Sequence, residues 1–340
     1  MNAERLTAQL LAGPRPASPV AVVERLLAVQ AQDPRGARLA VRARSTGLTA
    51  ADVDRALTEE RSLVITWLNR GTLHLVWSED YPWRHALTTP QLFTANARRL
   101  EQEGVTPDAA ERGVAVTERF LAEDGPLTRT QLRELIDAAD VPTRGQALVH
   151  VLMLASLRGL IVRGPMIGRE HAYALVRDWL GTSPPARDRD LGLAELARRF
   201  LAGHGPAGDR DLARWAGLPL RDARAGLEAI ASDLDQRAGG LVDLAGRPPA
   251  AGLPPPRLLG AYDPLLLGWT SRESLLGAHE GRVTVEGLFR PFALVRGRAA
   301  ATWKLEAGRV VLEPFGRLSR EDGASLEAEA RDVVRFLGLP

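Results

Sequence analysis

A chain of 340 residues is longer than one small domain, and two to four domains are expected. Its 45% hydrophobic content supports real cores, and it has no run of about 18 apolar residues, the length that would span a membrane. The absence of cysteine excludes disulfides, thiolate metal sites, iron–sulfur clusters and a cysteine nucleophile, and fits a reducing cytoplasm. A net charge of +2 is too small to announce a nucleic-acid binder. The basic residues are lopsided, however: Lys304 is the only lysine, and the rest are arginines, whose planar forks suit phosphate and base edges. Schiff-base chemistry would have to use Lys304 or the α-amine.

The N-terminus runs directly into a helical pattern with no signal-peptide profile, so a cytoplasmic protein is expected. Helices are predicted near Ala3–Leu11 and Pro19–Gln30, then from a Thr49–Asp52 cap to Thr58. A hairpin follows, Ser62–Leu68 and Thr72–Trp77, with Asn69-Arg70-Gly71 as its turn. Val114–Glu123 reads as a helix broken by Gly125-Pro126, and Thr128-Arg129-Thr130-Gln131 as a capping box opening another. Thr143 caps a third helix, Arg144–Arg158, with Leu148, Val151, Leu152 and Ala155 as its buried stripe. Leu160–Val162 and His171–Val176 read as two short strands.

Helix, helix, helix, β-ribbon is the winged-helix order. It returns as Leu191–Ala202, a helix capped by Asp209, Leu220–Leu234 and the strand Leu241–Leu244, and the N-terminal stretch is a looser copy. Ser183-Pro184-Pro185 and Arg247–Pro256 mark boundaries, giving winged-helix units at 1–110, 111–185 and 186–256. The last region, 257–340, carries short strands at Val283–Leu288, Phe292–Val295, Ala299–Trp303 and Arg309–Leu312, then a helix Arg320–Phe336. A small β-barrel or curled sheet closed by that helix is expected, making the chain α+β overall.

Generic catalytic motifs are missing. The six histidines are scattered and form no metal-ligand pair, and neither a Walker loop, a dinucleotide fingerprint nor Gly-x-Ser-x-Gly is present. No metal, no cofactor and no dimerisation helix are expected, so the chain reads as a monomer. One segment stands out: Val29-Gln30-Ala31-Gln32-Asp33-Pro34-Arg35, at the expected end of an amphipathic helix. On pattern alone it reads as a polar helix C-terminus, with Asp33-Pro34 as an ordinary stop. Trp67, Trp77, Trp83, Trp269 and Trp303 read as core.

Gln30-Ala31-Gln32-Asp33-Pro34-Arg35-Gly36 resembles the Gln-x-Gln segment of the AlkZ-like winged-helix DNA glycosylases. Thr66–Val76 is similar to that family's hairpin, Leu259–Trp269 to its C-terminal segment, and Gly287–Trp303 to the strands after it. The resemblance implies three tandem winged helices in a C shape around duplex DNA, a C-terminal β-barrel, and excision of N7-alkylated purines. The family's substrates include bulky natural-product adducts and, for some members, interstrand crosslinks. The resemblance assigns catalysis to Gln30 and Gln32. Asp33 lies one residue beyond the second motif position and either ends the helix or helps to orient water. Arg35, Arg42 and Arg44 follow the pair and are candidates for DNA contact, as are Arg70 and His74 at or beside the hairpin tip. The scarcity of lysine points to a hydrolase without lyase activity. A transcription regulator with several winged helices is the alternative that the repeats alone would suggest.

Overall fold

The computed structural model describes residues 3–168, 170–181 and 188–340, so the expected boundary at Ser183-Pro184-Pro185 lies outside the described residues. Helices and strands are mixed throughout, an α+β chain. It divides into two compact units, Met1–Val53 with Asp190–Pro340, and Asp54–Arg189.

The first unit is assembled from both ends of the chain. Ser18 caps the helix Pro19–Leu26, its Oγ accepting from the Ala21 amide at 3.3 Å. The sequence predicts that this helix runs to Gln30, but it stops at Leu26, where Leu27 turns left-handed at φ 66°. Every residue from Leu26 to Ala31 is inside, and the positive φ of Leu27 takes the chain out of the helical path. Val29–Gln30 is accordingly a strand.

Asp33 does not end a helix; it starts one. Its Oδ1 accepts from the Arg35 amide at 3.0 Å, Pro34 occupies the first turn, and the helix runs Pro34–Arg44. We call this the arginine helix. Farther on, Arg189–His204, Asp209–Ala216 and Leu220–Glu228 are followed by the paired strands Leu234–Arg237 and Leu241–Leu244. The cap of the middle helix is carried by Asp211, whose Oδ2 accepts from the Gly208 amide at 3.1 Å, and not by Asp209.

The last part of the first unit is a four-stranded antiparallel sheet in the order Arg309–Pro314, Arg298–Glu306, Phe292–Val295, Arg257–Leu259. The expected strand Val283–Leu288 is instead a helical turn, Glu280–Val283, and a small hairpin, Thr284–Val285 with Leu288–Phe289. Glu286 and Gly287 make its turn, both with positive φ. The helix Arg320–Leu337 packs on the sheet at Arg257–Leu259 and Arg309–Pro314, and the arginine helix packs on Arg257–Leu259.

In the second unit the hairpin forms as expected, Leu63–Leu68 with Thr72–Trp77, in register from Leu63↔Trp77 to Leu68↔Thr72. It joins the pair Ile161–Ile167 and Glu170–Leu175 through Ile65↔Arg163. The helix expected at Val114–Glu123 reaches back to Pro107, where Thr106 caps it, and the Thr128–Gln131 capping box opens Arg129–Asp137. The helix Ala147–Leu157 begins later than Thr143, whose hydroxyl donates to Asp137 Oδ1. Leu148, Val151 and Leu152 are fully buried at the centre of this unit, as expected for that stripe.

Candidate active site

The extended Val29–Gln30 segment delivers two glutamines at the mouth of the arginine helix. Gln30 is buried and Gln32 exposed. The Gln30 Nε2 donates to Gln32 Oε1 at 2.8 Å, which fixes the pair as one unit. That bond leaves Gln30 Oε1, a buried acceptor, without a protein partner. Buried acceptors are nearly always satisfied, so this one is available to a donor from outside the chain, water included. Asp33 follows at the helix N-cap, half-buried, its carboxylate offsetting the partial positive charge of the helix start.

The arginine helix is held from beneath by the C-terminal part of the same unit. A Cβ on Gly36 would lie 2.4 Å from the Ala261 carbonyl oxygen and 3.1 Å from Asp33 Oδ2. One on Gly260 would lie 3.0 Å from the Gly36 backbone. Only glycine at both positions lets the two backbones touch there. Arg44, at the helix end, is fully buried and grips Asp263 with two bonds of 2.8 and 2.7 Å, and its Nη2 also donates to Gln9 Oε1. Asp263 Oδ1 in turn caps the turn Pro264–Leu267.

Arg42, a candidate for DNA contact by its sequence position, faces inward. Its guanidinium binds Asp332 and Glu329 of the C-terminal helix at 2.8 Å each and the Leu258 carbonyl at 2.6 Å. At 3% exposure it has no reach to a phosphate. Arg44 is internal for the same reason. Arg35 is exposed beside Asp33.

In the other unit, Arg70 is exposed at the hairpin tip. The turn is set from behind: Asn69 is left-handed at φ 57° and buried, accepts from Arg84 Nη2 at 2.9 Å, and donates its amide to Thr88 Oγ1. His74 is buried, not displayed, and its Nδ1–H donates to the Thr72 carbonyl at 2.8 Å. Burial, with Arg84 nearby, pushes its pKa down to about 3, so His74 is neutral and offers no charge to DNA. Trp67, Trp83, Trp269 and Trp303 are core residues, as expected.

Sequence reasoning misses one residue at the site. Tyr262 follows Ala261 on the segment that touches Gly36, with φ of 55°. Its half-buried ring meets Phe289 edge-on at 5.6 Å. Burial and the Asp33 carboxylate both push its hydroxyl pKa up, so it stays protonated. Nothing in the local sequence marks a left-handed tyrosine. Among the described residues no three His, Cys, Asp or Glu side chains come together as a metal site would require, and no helix is long and apolar enough to cross a membrane.

The family model described as DNA glycosylase AlkZ-like matches residues 23–336. Among solved structures the chain is similar to Streptomyces sahachiroi DNA glycosylase AlkZ, with a TM-score of 0.81 and 24% identity over 99% of this chain and 95% of that one. No curated protein matches.

Proposed function

Because this chain belongs to the AlkZ-like DNA glycosylase family, we propose that it hydrolyses the N-glycosidic bond of N7-alkylated, cationic purines in duplex DNA, through Gln30 and Gln32. The observation that carries this reading is the partnerless buried Gln30 Oε1 beside the Gln30–Gln32 amide bond. An amide cannot act as a general base near neutral pH. The substrate makes one unnecessary. Alkylation at N7 gives the base a full positive charge, so the C1′–N9 bond breaks with its electron pair neutralising the ring. Water then adds through oxygen at C1′ and releases a proton to solvent, leaving a neutral alkylpurine and an abasic site.

The glutamine oxygens accept from that water and turn their negative ends toward the oxocarbenium-like sugar. Asp33 adds a negative charge at the helix start, where bare amides would oppose a developing cation. Arg35 and Arg70 are the side chains we assign to phosphate contact. Arg42 and His74 act as internal supports. The element orders around the two described ribbons and the N-terminal hairpin support a reading as three tandem winged helices, at 1–110, 111–185 and 186–256, with a barrel-like region at 257–340. Bulky adducts and crosslinks fall in the same chemical class, since each places a cationic purine on the sugar.

The test is release of 7-methylguanine from methylated duplex DNA. The Gln30→Ala/Gln32→Ala double variant is expected to lose about 100-fold or more in single-turnover rate. The parent should leave uracil in place and give no borohydride-trapped adduct on abasic DNA. A double variant as fast as the parent overturns the site assignment, and efficient uracil release overturns the substrate class.

A further inference from the structure

Tyr262 occupies a position that its conformation disfavours. An L-residue with a Cβ resists φ of 55°, and turns of this kind normally take glycine or asparagine. Here the conformation is imposed from both sides. On one side Gly260 and Ala261 are pressed against Gly36 of the arginine helix. On the other, Asp263 is locked by the buried Arg44. Core packing does not explain a large aromatic at this point, because the ring is only half-buried. Its neighbours are the Asp33 end of the glutamine segment and Phe289, whose ring carries the Arg272 guanidinium at 5.0 Å. A half-buried aromatic ring is thus held by its backbone near enough to Asp33, the residue after Gln32, for that carboxylate to act on its hydroxyl.

We infer that Tyr262 is a substrate-contacting specificity residue, whose ring stacks on the cationic purine while Gln30 and Gln32 act at the sugar. This rests on the glutamine reading above. A π face attracts a cation, and aromatic stacking accepts any purine. A positively charged base is therefore drawn to Tyr262 more strongly than the neutral bases around it. The neutral phenol keeps the ring from forming a charged partner of its own. Phe289, edge-on to Tyr262, backs the ring and fixes its tilt.

The experiment measures binding and single-turnover excision on one duplex with and without a single 7-methylguanine. Tyr262→Asn accepts the left-handed backbone but removes the ring. It should lower the preference for the methylated duplex by about tenfold while binding to the unmodified duplex stays as in the parent. Tyr262→Leu, bulky but without a π face, should show the same loss, and Tyr262→Phe should retain the preference. Thermal melting separates a folding defect, because the ratio between the two duplexes is read only on folded protein. Tyr262→Asn and Tyr262→Leu that keep the parental ratio overturn the inference. So does an equal loss on both duplexes, which would mark a general DNA contact. If Gln30→Ala/Gln32→Ala abolishes excision while the Tyr262 variants keep the ratio, the glutamine reading stands and only this inference falls.

Discussion

His74 shows how one buried side chain couples the hairpin to pH. In the folded hairpin it is held neutral, with its pKa moved from the ordinary 6.5 to about 3 by burial first and Arg84 second. Below pH 6.5 the unfolded chain takes up a proton there that the native protein refuses. The stabilisation is therefore complete above pH 6.5 and drains away as pH falls toward about 3. Denaturant titrations between pH 7 and 4 should show a shallower loss of stability for His74→Gln than for the parent; equal slopes would contradict the assignment. Residue identity and residue environment are unequally legible in the chain. The unusual Gln30-Ala31-Gln32 triplet is visible there, but nothing near Arg42 announces that Glu329 and Asp332 will cover it. Charge partners that distant leave no local pattern, so an internal arginine and a DNA-binding one look alike.

At the scale of elements, two helical glycines should respond in opposite directions. Gly36 lies under the Ala261 carbonyl, and Gly36→Ala forces backbone apart, costing about 1–3 kcal/mol and displacing the Tyr262 segment from the arginine helix. A methyl group on Gly323, in the helix Arg320–Leu337, would meet nothing within 4 Å. Gly323→Ala should therefore stabilise by about 0.5–1 kcal/mol through helix propensity alone. Urea unfolding of both variants, with 7-methylguanine release by Gly36→Ala, checks the pair. Elements with strong local signals are legible. Strand alternation and an Asn-Arg-Gly turn specify the hairpin, and the Thr128–Gln131 capping box specifies its helix. The helix before the glutamines looks longer in the sequence than it is, because the mostly apolar run Leu26–Ala31 suits a buried helix and a buried strand alike and nothing local marks the positive φ of Leu27. The short strand Arg257–Leu259 has too few residues to show alternation at all.

For the molecule as a whole, the first unit depends on ion pairs that span most of the chain. Arg44 and Asp263 are both fully buried, so removing one partner strands the other charge without water. Asp263→Ala should lose about 3–5 kcal/mol in denaturant unfolding, far more than loss of the exposed pair between Arg119 and Glu123. A small effect at Asp263 would mean that Arg44 finds another partner. The same pairs bear on how the protein is made. Arg44 meets Asp263 across 219 positions, and Arg42 meets Asp332 across 290. The glutamines therefore leave the ribosome well before the groups that seat their helix. A chain cut short before Asp263 would carry both glutamines but not the contacts that seat their helix. Abasic sites are themselves lesions, and this order of synthesis sets the glutamine segment in place only once Asp263 and Asp332 have been made.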